Sequence, residues 1–313
     1  MSPLASGPAL SAHTARFIAP FATQYPFRPR RLEVGGFDLS YVDEGPRDGQ
    51  ALLMVHGNPT WSFYWRNLIR AMHGGYRCIA VDHIGCGLSD KPADWPYRLA
   101  GHIDNLEALV CALDLRDVTL CVHDWGGPIG LGMARRQFDR IARVVITNTA
   151  AFHGVRAPWR IRACRTPGFG PLAVRGLNAF ARMATVMAVA HRERMTDEVR
   201  RGYLAPYDSY ATRIATLRFV QDIPLEPTHP SWATLAEIEA FLPRLAERPM
   251  GIVWGERDWC FTPRVREQWQ RRFPEAEVHA IDHAGHYLME DAHEEVVRWL
   301  RGFLDRHPIG ARV

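Results

Sequence analysis

Asp124 has the sequence context of a nucleophile that is displayed on a sharp turn. It follows the apolar run Val118–His123 and precedes Trp125 and two glycines. A turn that joins a strand directly to a helix strains the nucleophile's backbone and needs small neighbours, which Gly126 and Gly127 provide. The usual motif carries serine at this place, so a carboxylate predicts a different chemistry. The alternative is that Asp124 only caps the following helix, as aspartate often does.

A histidine and a second carboxylate follow later apolar runs and could complete a triad. His286 comes after the run 278–281, and Asp258 comes after a strand and a turn that contains Gly255. An imidazole can act as a general base, and a carboxylate can hold its tautomer and stabilise its cation. Glu256 is the alternative acid, although it lies closer to the turn. The order nucleophile, acid, histidine is that of the α/β-hydrolases.

The loop after the apolar run Ala51–Val55 supplies candidate hydrogen-bond donors. Its sequence, His56-Gly-Asn58-Pro, lies where these enzymes form an oxyanion hole. We expect the backbone N–H groups of Asn58 and Trp125 to be the two donors, and a plain turn is the alternative. All these residues follow predicted strands, and parallel strands place their carboxyl ends at one edge of a sheet. We therefore expect the residues to lie close together.

An aspartate nucleophile attacks carbon and leaves an ester joined to the enzyme. Water must then cleave that ester, and His286 backed by Asp258 can activate the water as a general base. The side-chain amide of Asn58 and the indole N–H of Trp125 could hold the departing anion, because both groups are donors and a dry pocket strengthens them. Together with the nucleophile Asp124, these four side chains predict displacement chemistry at carbon.

Short apolar runs alternate with helical segments along most of the chain. A Gly-Gly turn within residues 31–43 predicts a hairpin, and strands and helices then alternate from residue 51 to 147 and from 250 to 304. The strands are apolar throughout, which is typical of a parallel sheet that helices cover on both faces. We predict an α/β-hydrolase fold with a mostly parallel central sheet and a helical cap inserted after the sixth strand.

The alternation is interrupted between residues 152 and 233, where no clear strand is visible. Because a structureless loop of this length is implausible inside a domain, we predict that residues 152–233 form the helical cap. Residues 26–151 and 234–313 are then the α/β-hydrolase core. Residues 1–25, which are rich in Ala, Ser and Pro, are expected to form a loosely held arm.

Composition argues against several other classes of protein. The net charge of +4 is small for 313 residues and the arginines are scattered, so nucleic acid is not an expected partner. No window reaches about 18 consecutive apolar residues, which predicts no membrane span. The six cysteines form no C-x-x-C pair and no signal peptide is visible, which predicts a soluble, cytoplasmic protein with reduced thiols. His56 and His123 lack a metal-ligand spacing, and neither a metal nor an organic cofactor is implied.

These motifs resemble those of the haloalkane dehalogenase family over nearly the whole chain. The matching segments are 56–62, 65–68, 85–92, 123–127 and 285–286. The resemblance implies that Asp124 is the nucleophile, that His286 is the base, and that Asn58 and Trp125 stabilise the halide. In one branch of the family the acid follows the strand that is 141–147 here.

Asn148 occupies that place in this sequence, so the resemblance points to Asp258 as the acid. The cap is similar to one subgroup, which includes the β-lactone decarboxylases of bacterial long-chain olefin biosynthesis. The segments that carry this likeness are 82–87, 149–153, 164–167, 202–208 and 213–224. The likeness implies a hydrophobic small-molecule substrate with a four-membered lactone and two alkyl chains, which Asp124 would open to yield carbon dioxide and a cis-alkene. Olefin-pathway relatives associate with partner enzymes, which makes such enzymes candidate partners.

Three other functions remain open from the residues alone. Haloalkane dehalogenation would use the same side chains, so only the substrate separates it from lactone decarboxylation. Epoxide hydrolysis would need two cap tyrosines to protonate the epoxide oxygen, and Tyr203, Tyr207 and Tyr210 are available. A binding protein without catalysis is the third, although a complete set of candidate catalytic side chains argues against it.

Overall fold

The central sheet has eight strands within residues 12–310, the residues that this computed structural model describes. The strands are β1 (Arg30–Val34), β2 (Phe37–Glu44), β3 (Ala51–Val55), β4 (Arg77–Val81), β5 (Val118–His123), β6 (Ile141–Thr147), β7 (Met250–Gly255) and β8 (Glu277–Ile281). Their order across the sheet is β1-β2-β4-β3-β5-β6-β7-β8. The two pairs that β2 forms are antiparallel, and all other neighbouring strands are parallel. The predicted mostly parallel sheet is confirmed.

The middle strands of the sheet are buried on both faces. Every residue of β3, β5 and β7 is buried. A strand that helices cover on both sides needs apolar side chains at successive positions, because neither face meets water. This is why continuous apolar runs, rather than alternating ones, predict these strands.

Helices cover the sheet and form the cap. They are α1 (Ala12–Ile18), α2 (Arg66–Met72), α3 (Leu99–Ala112), α4 (Gly126–Arg136), α5 (Trp159–Ala163), α6 (Ala179–Met187), α7 (Asp197–Leu204), α8 (Ile214–Gln221), α9 (Trp232–Phe241), α10 (Pro263–Arg272), α11 (Leu288–Asp291) and α12 (His293–Arg306). The cap helices α5 to α8 follow β6, so the cap is inserted after the sixth strand as predicted. The predicted cap boundary at residue 233 falls inside α9, where Ile238 lies against Gly132 of α4.

The described part of the predicted N-terminal arm is packed against the core. Phe21 and Tyr25 are buried, and their ring centres lie 6.1 and 4.9 Å from that of Trp61. The expectation of a loosely held arm is therefore wrong for residues 12–25, because their aromatic side chains cover other aromatic rings of the core. Residues 1–11 lie outside the described residues.

A buried ion pair joins α2, the cap and the segment that follows the last strand. Arg66 of α2 donates to Glu290 of α11 at 2.7 Å, and both side chains are at most 3% exposed. The hydroxyl of Tyr203 in α7 donates to the same carboxylate. Breaking such a pair would leave a buried charge without a partner, so the pair strongly restrains the position of α11.

Candidate active site

Asp124 lies in the tight turn between β5 and α4. Its φ angle is +52°, in the left-handed region that residues other than glycine rarely adopt. A Cβ at Gly126 would come 2.0 Å from the carbonyl oxygen of Val55, and a Cβ at Gly127 would come 1.9 Å from Oγ1 of Thr149. The helix can therefore approach the sheet this closely only through glycine, and the strained turn displays Asp124 at the carboxyl edge of the sheet.

Gly126→Ala is expected to lower the free energy of unfolding by at least about 2 kcal/mol, because the added methyl group collides with backbone that cannot easily move. Urea unfolding measures the change. Gly74→Ala is the matched control, since a Cβ there meets no atom within 4 Å, and less than about 1 kcal/mol of change is expected. Equal effects of the two substitutions would show that the close approach of Gly126 to the backbone of β3 does not require glycine at this position.

His286 lies between Asp124 and Asp258. Its Nε2 is 3.8 Å from Oδ2 of Asp124, and its Nδ1 is 2.7 Å from Oδ2 of Asp258. The other oxygen of Asp258 accepts hydrogen bonds from the backbone N–H groups of Cys260 and Phe261. The structure thus brings the predicted nucleophile, base and acid together in one continuous chain of polar groups.

Asn148 supports the acid that faces the histidine. It donates from Nδ2 to Oδ2 of Asp258 at 2.9 Å. Glu256, the alternative acid, instead pairs with Arg266 at 2.6 Å. Asp258 rather than Glu256 therefore contacts His286, and the asparagine that follows β6 helps to hold the late carboxylate.

Burial and hydrogen bonds act in opposite directions on the pKa of Asp124. Burial raises the pKa of this carboxyl above its ordinary value, whereas His286 and the backbone N–H groups of Asn58 and Trp125 act to lower it. The N–H of Asn58 donates to Oδ1 of Asp124 at 2.7 Å. For His286, burial acts to lower the pKa, but Asp258 and Asp124 together raise it above the ordinary value. The site therefore favours a cationic imidazole beside the carboxylate.

The side chains of Asn58 and Trp125 line the same cavity as Asp124. The amide nitrogen of Asn58 donates one hydrogen to the carbonyl oxygen of Thr216 in α8 at 3.1 Å, which leaves its second hydrogen for a ligand. The ring of Trp125 lies 5.3 Å from that of Phe219, also in α8. One cap helix thus positions both predicted anion-binding side chains.

A cavity of about 440 Å³ lies between the edge of the sheet and the cap. Asp124 and His286 line it, whereas Asp258 lies behind the histidine and is 2% exposed. Most of the other lining side chains are apolar, and they include Phe152, Val155, Ala173, Phe180, Met187 and Val220. A carboxylate that faces a largely apolar cavity suits a hydrophobic small molecule.

The three cap tyrosines considered for epoxide protonation do not line this cavity. Tyr203 is buried against Glu290, Tyr207 is buried and donates to a backbone carbonyl, and Tyr210 is exposed. Tyr287, which the sequence does not single out, lines the cavity instead. The paired tyrosines that epoxide opening would need are therefore not in position at this cavity.

Sequence reasoning missed the residues that hold the loop of His286. The carboxylate of Asp291 accepts from the backbone N–H of Gly285 at 2.7 Å and from that of His191 in the cap at 2.8 Å. His123 donates from Nε2 to the carbonyl oxygen of His286 at 2.9 Å. No local pattern marks Asp291, because its partner in the cap, His191, is 100 residues away in the sequence, and the only signal for His123 is its place beside the candidate nucleophile.

Comparison with known proteins identifies the family of the chain. A family model for the α/β hydrolase fold matches residues 50–293. The chain is 45% identical over 297 residues to a cis-3-alkyl-4-alkyloxetan-2-one decarboxylase of Xanthomonas campestris pv. campestris, covering 91% of this chain and 98% of that protein. It is 33% identical to a haloalkane dehalogenase of Mycobacterium marinum, covering 88% of this chain and 94% of that protein.

A solved structure extends the likeness to the fold. Haloalkane dehalogenase DatA from Agrobacterium tumefaciens C58 superposes with a TM-score of 0.81 at 27% sequence identity, covering 90% of this chain and 97% of that chain. The resemblance inferred from the motifs is confirmed by these similarities. The chain belongs to the α/β-hydrolase family, in the group that contains haloalkane dehalogenases and cis-3-alkyl-4-alkyloxetan-2-one decarboxylases.

Proposed function

We propose that this enzyme is a β-lactone decarboxylase in which Asp124 is the nucleophile and His286, which Asp258 orients, is the cation that stabilises the Asp124 carboxylate; His286 acts as a base only where an ester must be hydrolysed. The observation that carries the proposal is a buried Asp124 carboxylate, 3.8 Å from His286, that faces a largely apolar cavity. The 45% identity to a cis-3-alkyl-4-alkyloxetan-2-one decarboxylase supports a four-membered lactone with two alkyl chains as the substrate. Enzymes that make such lactones in olefin biosynthesis are the proposed partners.

In the first step, a carboxylate oxygen of Asp124 attacks the saturated ring carbon that is bonded to the ring oxygen, not the carbonyl carbon. The bond between that carbon and the ring oxygen breaks, and its electron pair stays on the oxygen of the new substrate carboxylate. An ester then joins the attacked carbon to Asp124. Release of the strain of the four-membered ring favours this step.

In the second step, loss of carbon dioxide forms the alkene. The bond from the substrate carboxylate to its neighbouring carbon breaks, and its electron pair forms the carbon–carbon double bond. The ester oxygen leaves with its own electron pair, which restores the Asp124 carboxylate, so that neither water nor a cofactor is consumed. Inversion at the attacked carbon followed by anti elimination keeps both alkyl chains on one side, and a cis-lactone therefore yields a cis-alkene.

Side chains around Asp124 can stabilise the charges that these steps create. Asn58 and Trp125 line the cavity, and their N–H groups can bind the carboxylate that ring opening releases. The cation of His286, which burial disfavours but Asp258 favours, can stabilise the carboxylate of Asp124 as it is expelled. Fixed donors in a dry site need little rearrangement when the charge forms.

Haloalkane dehalogenation is the second candidate function. The observation that favours it is the pair of donors, Asn58 and Trp125, beside the nucleophile in the cavity. Attack of Asp124 on a carbon that bears a halogen would form an alkyl ester and a halide ion, and His286 would then activate water to cleave the ester. The 33% identity to a haloalkane dehalogenase supports this reaction less strongly than the 45% identity supports decarboxylation.

A parallel assay tests the proposal. The enzyme receives a cis-dialkyl β-lactone in one reaction and a 1-bromoalkane in another, and heat-inactivated enzyme controls for spontaneous decarboxylation. We expect a cis-alkene and carbon dioxide in equal amounts from the lactone, measured by gas chromatography. Bromide release without alkene formation would assign the enzyme to dehalogenation, and a trans-alkene would contradict the proposed inversion and elimination.

A further inference from the structure

The cap segment 155–190 carries an unbalanced positive charge. It contains six arginines and no aspartate, glutamate or lysine. The whole chain has a net charge of only +4, so the remainder of the chain is slightly acidic. This stretch of the cap therefore carries a larger positive charge than the whole chain, although arginines are scattered along the sequence.

No arginine of this segment forms a direct ion pair with a carboxylate among residues 12–310, and Asp222 and Glu226 act only on the pKa of Arg165. The arginines of the segment are Arg156, Arg160, Arg162, Arg165, Arg175 and Arg182. All except Arg165 and Arg175 are exposed, and those two donate to backbone carbonyl oxygens. Guanidinium groups that no carboxylate neutralises attract an anionic partner.

Large apolar side chains are exposed on the same segment. Trp159 is 70% exposed, and Phe169, Leu172, Leu177 and Met183 are 49–63% exposed. Among the described residues, the large apolar side chains that remain this exposed all lie in the cap. Single exposed apolar residues are ordinary, but a group of them marks a contact surface.

Several of these exposed residues border the mouth of the active-site cavity. Trp159, Phe169 and Met183 line the cavity that also contains Asp124. The guanidinium of Arg160 lies 4.9 Å from the centre of the Trp159 ring and lines the same cavity. The opening is therefore surrounded by aromatic, aliphatic and cationic groups. We use the name cap face for these residues together with the other exposed residues of 155–190.

We propose that the cap face docks on the surface of an anionic lipid bilayer. Arginines are attracted to anionic headgroups, and tryptophan, phenylalanine and leucine insert at the boundary between headgroups and acyl chains. Arginine stems can also lie along apolar surface while their charged ends reach the headgroups. A nucleic acid would match the charge but would leave the aliphatic side chains in water. No helix within residues 12–310 is long and apolar enough to cross a bilayer, so the docking is peripheral.

Docking through this face places the mouth of the cavity against the bilayer. An apolar ligand that is dissolved in lipid can then enter the cavity without crossing water. The docking itself is measured without a substrate. A failure of the protein to bind vesicles can therefore be distinguished from a failure of the proposed lactone chemistry.

Sedimentation with vesicles tests the proposal on the full chain. Phosphatidylcholine vesicles are compared with vesicles in which roughly a third of the lipid is phosphatidylglycerol. We expect the protein to sediment with the anionic vesicles only. It should be released as the salt concentration rises from about 0.1 M to about 1 M, because salt screens exposed charges.

Two sets of substitutions locate the binding surface. Glutamine replaces four exposed arginines of the cap face, Arg156, Arg160, Arg162 and Arg182. We expect vesicle binding to weaken at least about tenfold. The matched control replaces four exposed arginines outside the cap, Arg70, Arg264, Arg271 and Arg298, and should keep most of the binding. Trp159→Ser combined with Phe169→Ser should weaken binding without a change of charge, and thermal unfolding checks that each variant folds.

Three outcomes would overturn the proposal. The first is no binding to anionic vesicles by the unmodified chain. The second is an equal loss of binding in the cap set and in the control set, which would show that only total charge matters. The third is concentration-dependent self-association that the cap substitutions abolish while vesicle binding is unchanged, which would assign the cap face to a protein contact.

Discussion

Asp124→Asn is expected to abolish turnover, with a loss on the order of 10⁴-fold or more, because the amide oxygen is a poor nucleophile and no covalent ester can form. Asparagine has the shape of aspartate and tolerates the positive φ angle of this turn, which is +52°. The substitution therefore removes the reactive group without rebuilding the backbone. Product formation from the lactone and from the bromoalkane measures the loss, and activity close to that of the unmodified enzyme would contradict the assignment of the nucleophile.

The same variant separates lost chemistry from lost folding. Burial raises the pKa of Asp124 above its ordinary value, so ionising this carboxyl costs more free energy in the folded chain than in the unfolded chain. Asparagine cannot ionise, and we expect Asp124→Asn to melt at or above the temperature of the unmodified protein. The difference should shrink as the pH falls below the raised pKa, because aspartic acid is then also neutral. A large fall in melting temperature would instead attribute the lost activity to unfolding.

His286→Ala is expected to trap an alkyl ester on the enzyme when a 1-bromoalkane is the probe. Formation of the ester needs no base, whereas its hydrolysis does, and losing a general base slows such a step roughly 10²- to 10⁴-fold. Mass spectrometry of the intact protein should therefore show the added mass of one alkyl group. An unmodified mass after exposure to the 1-bromoalkane would count against ester formation at Asp124 with this probe; a lactone would not accumulate an adduct, because its ester collapses to the alkene without a base.

Two companion variants locate the adduct. His283→Ala changes an exposed histidine three residues away, and it should turn over substrate without accumulating mass. The double variant of His286→Ala with Asp124→Asn should also remain unmodified. Cys260 lines the same cavity, and added mass on the double variant would reveal alkylation of that thiol instead of ester formation at Asp124.

Local sequence patterns were sufficient to predict the sheet and the edge at which the candidate residues lie. Asp124 and Asp258 follow the fully buried strands β5 and β7. Parallel strands bring their carboxyl ends to one edge of the sheet. The proximity of two residues that are far apart in the sequence can therefore be predicted without knowing any distance. The glycines after Asp124 carry similar local information, because only a residue without a side chain allows the helix to approach so closely.

Contacts between distant segments could not be predicted in this way. Glu256 and Asp258 both follow β7, and only packing decides that one pairs with Arg266 and the other with His286. The binding of Asp291 to the cap likewise depends on how two separate segments dock.

The sequence by itself determined the order of strands and helices and the residue types at their ends, because hydrophobic periodicity and turn chemistry act over a few residues. The tertiary structure excluded Glu256, which the sequence had left open as the alternative to Asp258, and it alone decided which tyrosines stay out of the cavity. It also decided that residues 12–25 pack on the core and that exposed arginines and Trp159 border the cavity mouth. These features depend on distances between surfaces that meet only after the chain has folded, and no short pattern encodes such distances.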